Sequence, residues 1–316
     1  MAEPVALAAL ALDGALGWPQ GLYARIGHPV GLFARLIDHC ERRWNRANAS
    51  APRRRVAGMA TMLLLVGLSG GTAWLIERAL IALFGAGGWI AIAIVTWPAL
   101  AQRSLFDHVR PVALALHRGD IEAARAAVSL IVGRDTAALD EAGIARAAIE
   151  SLAESFCDGI AAPLFWLLVG GLPGIWAYKA INTADSLIGH PEPPLRAFGW
   201  AAARTDDIAN WLPARIGGAL ICLAGGRRAR KGWRILRRDA RRHASPNAGW
   251  TEAAMAGVLG LRLAGPVAYE GQRQDKPWIG DGTPDAGAHD IDRAIALYLR
   301  ACTLLWIIAG GIAWLR

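Results

Sequence analysis

Charge is what this sequence has least of: charged side chains make up 19% of its 316 residues, against 54% hydrophobic. That balance lies on the apolar side of ordinary soluble domains, so membrane residence is the first reading to test. Cysteine is also sparse, and the four present, Cys40, Cys157, Cys222 and Cys302, show no paired spacing. This argues against both a zinc site and a disulfide framework. No internal repeat or low-complexity linker is present, and no Ser/His/Asp or Cys/His arrangement suggests a protein nucleophile. The apolar start, residues 1–18, has Glu3 where a signal peptide carries basic residues and Asp13 inside its core. It is expected to remain as a buried or membrane-associated helix.

What the chain does have is long apolar runs. Segment 56–76 is uncharged over 21 residues and 79–101 over 23, each enough to cross a bilayer core as a helix. A third run, 160–178, carries Pro163, Gly170, Gly171, Pro173 and Gly174, so it is expected to be a broken span or a re-entrant hairpin. Segments 212–226, with Arg215 inside it, and 301–315 are weaker. The expected fold is all-α: a polytopic membrane protein with about four to five membrane segments, some broken or re-entrant, in a single catalytic domain over 1–316.

Six arginines between Arg42 and Arg55 precede the first span, which places that loop in the cytoplasm. The loop 102–159 then returns to the cytoplasm. The basic stretch 227–242, nine of sixteen residues Lys or Arg, reads most simply as a cytoplasmic helix on anionic lipid. These basic segments explain most of the net charge of +8, so no nucleic-acid partner is expected. Segments 160–178 and 212–226 must therefore both cross or both fail to cross, and only the second case keeps all polar clusters on one side.

Those clusters lie between the apolar runs. Asp120 and Asp140 read as helix N-caps, the second opening a helix through Phe156. On that helix Glu150, Glu154 and Asp158 fall at i, i+4 and i+8, one column of like charges that calls for a cation. Alone, such a column is more often a solvated face. Ile144, Ala148, Leu152 and Phe156 give the packing face. Lys179, Asn182, Asp185 and His190 follow the broken segment, although a histidine before Pro191 is more often a turn residue. Arg204, Asp206, Asp207 and Asn210 resemble the oxygen-rich presentation that holds Mg²⁺. Arg134 suits either phosphate or Asp135. His243, Ser245 and Asn247 sit in a turn-rich segment suited to a ligand loop, with Glu252 just beyond.

Five blocks, GDIEAARAAVSLIVGRDT, ESLAESFCDGIAAPLFW, GLPGIWAYKAINTADSLIGH, FGWAAARTDDIANWLPAR and HASPNAGWTEAAMAG, resemble the CobD/CbiB family, the adenosylcobinamide-phosphate synthases of cobalamin biosynthesis. The resemblance covers nearly the whole chain. It departs at Trp18, where relatives often place Asp, so no catalytic role is carried onto that turn. It implies a multi-pass ligase of the bacterial inner membrane, with its active site on the cytoplasmic side. Such an enzyme would use ATP and Mg²⁺ to join aminopropanol or its phosphate to a propionate carboxylate of adenosylcobyric acid. A homo-oligomer, or association with other corrinoid enzymes, is compatible with it.

On this reading Glu154, Asp158, Asp185, Asp207 and His243 are the expected catalytic set, with Asp158, Asp206 and Asp207 on the metal. Arg134, Glu150, Lys179, Asn182, His190, Arg204, Asn210, Ser245 and Asn247 are expected to bind substrate or nucleotide. An amide cannot form from a free carboxylate at neutral pH without activation, so metal-bridged phosphates and acids are the inventory to expect. Two rivals remain: a polytopic Mg²⁺-dependent diphosphate enzyme such as a prenyltransferase, and a non-enzymatic sensor or transporter in which the buried acids bind a cation.

Overall fold

A computed structural model describes residues 2–133, 135–269, 272–274 and 277–315. In chain order the helices are α1 (Ala2–Leu16), α2 (Gln20–Ile26), α3 (Val30–Trp44), α4 (Ala51–Phe84), α5 (Gly88–Thr96), α6 (Gln102–His117), α7 (Ile121–Ser129) and α8 (Glu141–Phe156). A π-helical segment, Cys157–Ala161, leads into α9 (Ala162–Ile188), α10 (Leu195–Phe198), α11 (Trp200–Ala209), α12 (Trp211–Ala224), α13 (Ala229–Asp239) and α14 (Ala248–Leu259). Four short strands, β1 (Leu263–Ala264), β2 (Val267–Tyr269), β3 (Gln272–Gln274) and β4 (Trp278–Ile279), pair antiparallel as β1–β4 and β2–β3 before α15 (Ala288–Trp314). The protein is all-α in character, and the strands serve only as a connection.

The chain divides into two compact units that alternate along the sequence. The first is Met1–Ala101, Ala162–Asn210 and Ala309–Arg316; the second is Gln102–Ala161 and Trp211–Ile308. In the first unit α4 and α9 pack together, with α3, α10 and α11 against them. Ile37, Met62, Leu65, Ala180, Ile188 and Phe198 form a core there. In the second unit α14 lies against α8, α12 and α13 and is almost wholly buried. Glycine permits that closeness: a Cβ on Gly257 would stand 2.9 Å from the Cα of Gly232 on α13.

Three helical stretches are long and apolar enough to cross a membrane, within Ala51–His117, Glu141–Ile188 and Ala288–Trp314. The outer face of α4 supports that reading. Leu63, Leu68, Trp74, Leu75 and Leu83 are all more than half exposed, an apolar surface that water would penalise and lipid does not. At about 1.5 Å per residue the 21 uncharged residues 56–76 span roughly 31 Å, close to the ~30 Å core. Arg53–Arg55 and Glu77–Arg78 bracket them.

The run 79–101 is not a second continuous span. Its first residues finish α4, Gly85 turns the chain at φ 52°, and α5 is only 9 residues long before Trp97–Ala99 forms a 3₁₀ turn. Hydropathy measures apolar length but not reversal, and Gly85, Gly87, Gly88 and Pro98 supply the reversal. Segment 212–226 is the 14-residue α12, roughly 21 Å long and short of the core thickness. The last run belongs to α15, which begins well before residue 301.

The break expected in 160–178 lies at Gly171, where φ 60° and ψ −152° interrupt α9 and Pro173 restarts it. Proline at the start of the second arm lacks a donor where none is needed. The freed amide of Leu172 points to Glu77 Oε1 at 3.4 Å, so α4 supplies an acceptor where the helix dipole favours negative charge.

Candidate functional site

In the first unit the second arm of α9 and the short helix α11 bring two of the sequence clusters together. The charge of Asp185 reaches Asp206, and the charge of Asp207 reaches both. Asp206 is 9% exposed, and its Oδ1 has no hydrogen-bond partner. Its other oxygen accepts from Asn210 Nδ2 at 3.0 Å, while Tyr178 Oη donates to Asn210 Oδ1 at 3.0 Å. The tyrosine thus orients the amide so that its donor faces the acid.

Burial, together with the charge of Asp185, pushes the Asp206 carboxyl up to about 7, against the opposing amides of Asn210 and Asn182. Burial also raises Asp207, while the Arg204 guanidinium, 2.8 Å away, opposes the rise. Three acids in one half-buried place, with Arg204 paired to Asp207, make a donor set of carboxylate oxygens and amides. Such a set could hold a hard cation, whose charge would favour the ionised form that burial and the neighbouring acids disfavour.

Lys179 is half-buried on the same arm of α9, and its charge reaches His28. His28 packs edge-on to Trp18 with ring centroids 5.0 Å apart. His190 is exposed just past α9, near enough to Asp185 to feel its charge.

The second unit holds the remaining predicted residues. Asp120 and Asp140 cap α7 and α8, accepting from Ala123 N at 2.9 Å and Gly143 N at 2.7 Å. The apolar face Ile144, Ala148, Leu152 and Phe156 is fully buried. The acid column is not one straight row: Glu150 and Glu154 are on α8, but Asp158 falls in the π segment, whose wider turn rotates it out of line. Glu150 Oε1 accepts from Ala264 N at 2.9 Å, tying α8 to β1. Glu154 is exposed and Asp158 half-buried.

His243 Nδ1 accepts from Ser245 N at 3.0 Å, and its Nε2 lies 3.5 Å from Glu252 Oε1. The neutral ring therefore carries its proton on Nε2, toward Glu252. Ser245 Oγ accepts from the amides of Asn247 and Ala248 at the start of α14. Asn247, 6% exposed, accepts from Arg215 at 3.3 Å. That guanidinium lies between the rings of Trp211 and Trp250, 4.3 and 4.5 Å from their centroids.

The geometry therefore gathers Asn182, Asp185, Arg204, Asp206, Asp207 and Asn210 in one unit and Glu150, Glu154, Asp158, His243, Ser245 and Asn247 in the other. Arg134 lies outside the described residues. Sequence reasoning missed Tyr178 and the paired tryptophans around Arg215, and it noted Glu252 beside the turn without giving it a role. Glu252 did leave a signal, as the one acid in an otherwise uncharged helix.

The sequence model of the family described as CobD/Cbib protein matches residues 6–298. Among curated proteins, the chain is 47% identical over 308 residues to a cobalamin biosynthesis protein CobD of Rhodobacter capsulatus, covering 96% of this chain and 95% of that protein. It is 47% identical over 303 residues to the protein of that name from Brucella anthropi, covering 94% and 92%. The Rhizobium meliloti protein of that name is 43% identical over 304 residues, again covering 94% and 92%. No solved structure matches the chain.

Proposed function

The chain belongs to the CobD/CbiB family, and from that premise we propose that this cobalamin biosynthesis protein is an ATP-dependent ligase embedded in the membrane. It joins aminopropanol or its phosphate to a propionate carboxylate of adenosylcobyric acid. The observation that carries the proposal is Asp206: a buried acid with an unpartnered oxygen, raised to about 7 beside two further acids. Buried carboxylates are rarely left so unless a cation completes them.

The donor set fits Mg²⁺, with Asp206 and Asp207 as ligands and Asp185 facing them. When bound, the ion would neutralise phosphate oxygens and so assist activation of the substrate carboxylate. The chain's own residues do the rest. Tyr178 fixes Asn210, Asn210 and Asn182 orient polar groups around the acids, and Arg204 sets the direction of Asp207. Lys179 supplies positive charge toward anionic substrate groups.

In the second unit, Glu154, Asp158 and the Ser245–Asn247 turn contribute to substrate binding. The amine must lose a proton to attack. His243 Nδ1 already takes the Ser245 amide, which favours a carboxylate as the acceptor.

Purified protein incubated with adenosylcobyric acid, aminopropanol phosphate, ATP and Mg²⁺ should give the amide, detected by mass, with stoichiometric nucleotide cleavage. Well-folded protein that turns over ATP-free mixtures equally, or gives no amide, would refute the proposal.

A further inference from the structure

His117, His289 and Asp292 converge at one end of the antiparallel pair α6 and α15, and none of them is assigned above to the reaction. One ligand atom from each lies within 4.8 Å of the other two. His117 Nε2 is 2.7 Å from Asp292 Oδ2, and the two imidazoles meet edge-on with centroids 4.9 Å apart. His289 and Asp292 are three residues apart on the first turns of α15, so they share a face. His117 is in the last turn of α6.

The scaffold beneath is fixed at its other end. Tyr298 Oη donates to Gln102 O and Trp306 Nε1 to Gln102 Oε1, each at 2.8 Å. Those bonds hold α6 and α15 in register, with Gln102 beside the later turns of α15 and His117 beside its start. Asp290 is engaged elsewhere, with Arg293 at 2.7 Å, so it does not compete for the group.

We propose that His117, His289 and Asp292 form a binding site for a divalent transition-metal ion, with zinc as the probe. Two imidazoles and a carboxylate are the ligand types that suit such an ion, and three protein ligands leave a position open to water. Ligand atoms around one tetrahedral zinc stand about 3.4 Å apart, given bonds near 2.1 Å. Small rotations of these exposed side chains reach that spacing. The ion clasps the end of α6 to the start of α15. An ordinary histidine–aspartate ion pair uses only two of the three groups and gives His289 no role.

Tag-free protein in detergent, equilibrated with buffered Zn²⁺ and assayed for metal content, should retain one ion per chain above the level of a His117→Ala/His289→Ala double variant. His289→Ala alone should weaken binding at least tenfold, although it leaves the His117–Asp292 pair intact. His108→Ala, which removes an exposed histidine bonded within α6, should bind as wild type does. Zn²⁺ should raise the thermal midpoint of wild type but not of the double variant. Equal zinc content in wild type and double variant, or a loss in His108→Ala as large as in His289→Ala, would overturn the site.

Discussion

Asp206 and Asp239 are both aspartates buried on short helices, one in each unit, yet their surroundings are opposite. Asp239, fully buried, receives Arg238 through two bonds of 2.7 Å, Arg242 at 3.2 Å and the amide of Gly280 at 2.8 Å. Burial alone would raise it, but these donors win and hold it below the usual carboxylate range. Asp206 has only the neutral amides of Asn210 and Asn182 to oppose its burial, with no hydrogen bond on Oδ1, and it rises to about 7. A charge compensated by its own fold is architecture. A charge left short of donors is a candidate for a ligand from outside the fold.

Substitutions should separate the two. Asp206→Asn keeps shape and removes the charge; turnover of the amide-forming reaction should fall by roughly 10² to 10³, the scale of a lost electrostatic contact to a reacting group, while the protein loses no stability. Asp239→Asn should do the reverse. It loses charged hydrogen bonds at a buried site, so stability should fall by about 2 to 3 kcal/mol, read as a lower thermal midpoint in detergent, with turnover per folded molecule unchanged. If both variants lose stability alike, the distinction fails.

The two acids also predict opposite pH responses. Asp206 binds its proton more tightly folded than unfolded, so without divalent cation its contribution falls as pH rises from about 4 to about 7, by at most about 1.4 kcal/mol per pH unit. Asp206→Asn or added Mg²⁺ should flatten that slope in thermal melts. Asp239 is depressed when folded, so its stabilisation is present above the unfolded carboxylate value and is lost only as pH falls through its lowered one. Tyr178→Phe gives the smallest effect expected. It frees Asn210 to turn, and turnover should drop by about 1 kcal/mol in the barrier, or roughly five- to tenfold.

Local signals in the sequence were readable where one residue decides the outcome. Asp120 and Asp140 mark helix starts because a carboxylate can take the orphan amide three residues on, and Gly171–Pro173 marks the break in α9. The meeting of Asp185 with Asp206 and Asp207 could be expected from shared chemistry. Its reason, the packing of α11 on α9, is tertiary.

Other features had no local signature. A helix-spaced column predicts alignment of Asp158 with Glu154, but the chain enters a π-helical turn at Cys157, and nothing local in the sequence marks that change. Tyr178 read as the end of an apolar run, because its partner, Asn210, is thirty-two residues away. The run 79–101 read as a span because composition hides a chain reversal.

The most direct test of the Asp206 centre is a Mn²⁺ titration followed by electron paramagnetic resonance on wild-type and Asp206→Asn protein, with Mg²⁺ as competitor. The account predicts one bound Mn²⁺ in wild type that Mg²⁺ displaces, and loss of that Mg²⁺-sensitive fraction in the variant. An equal Mg²⁺-displaceable fraction in both proteins would contradict it.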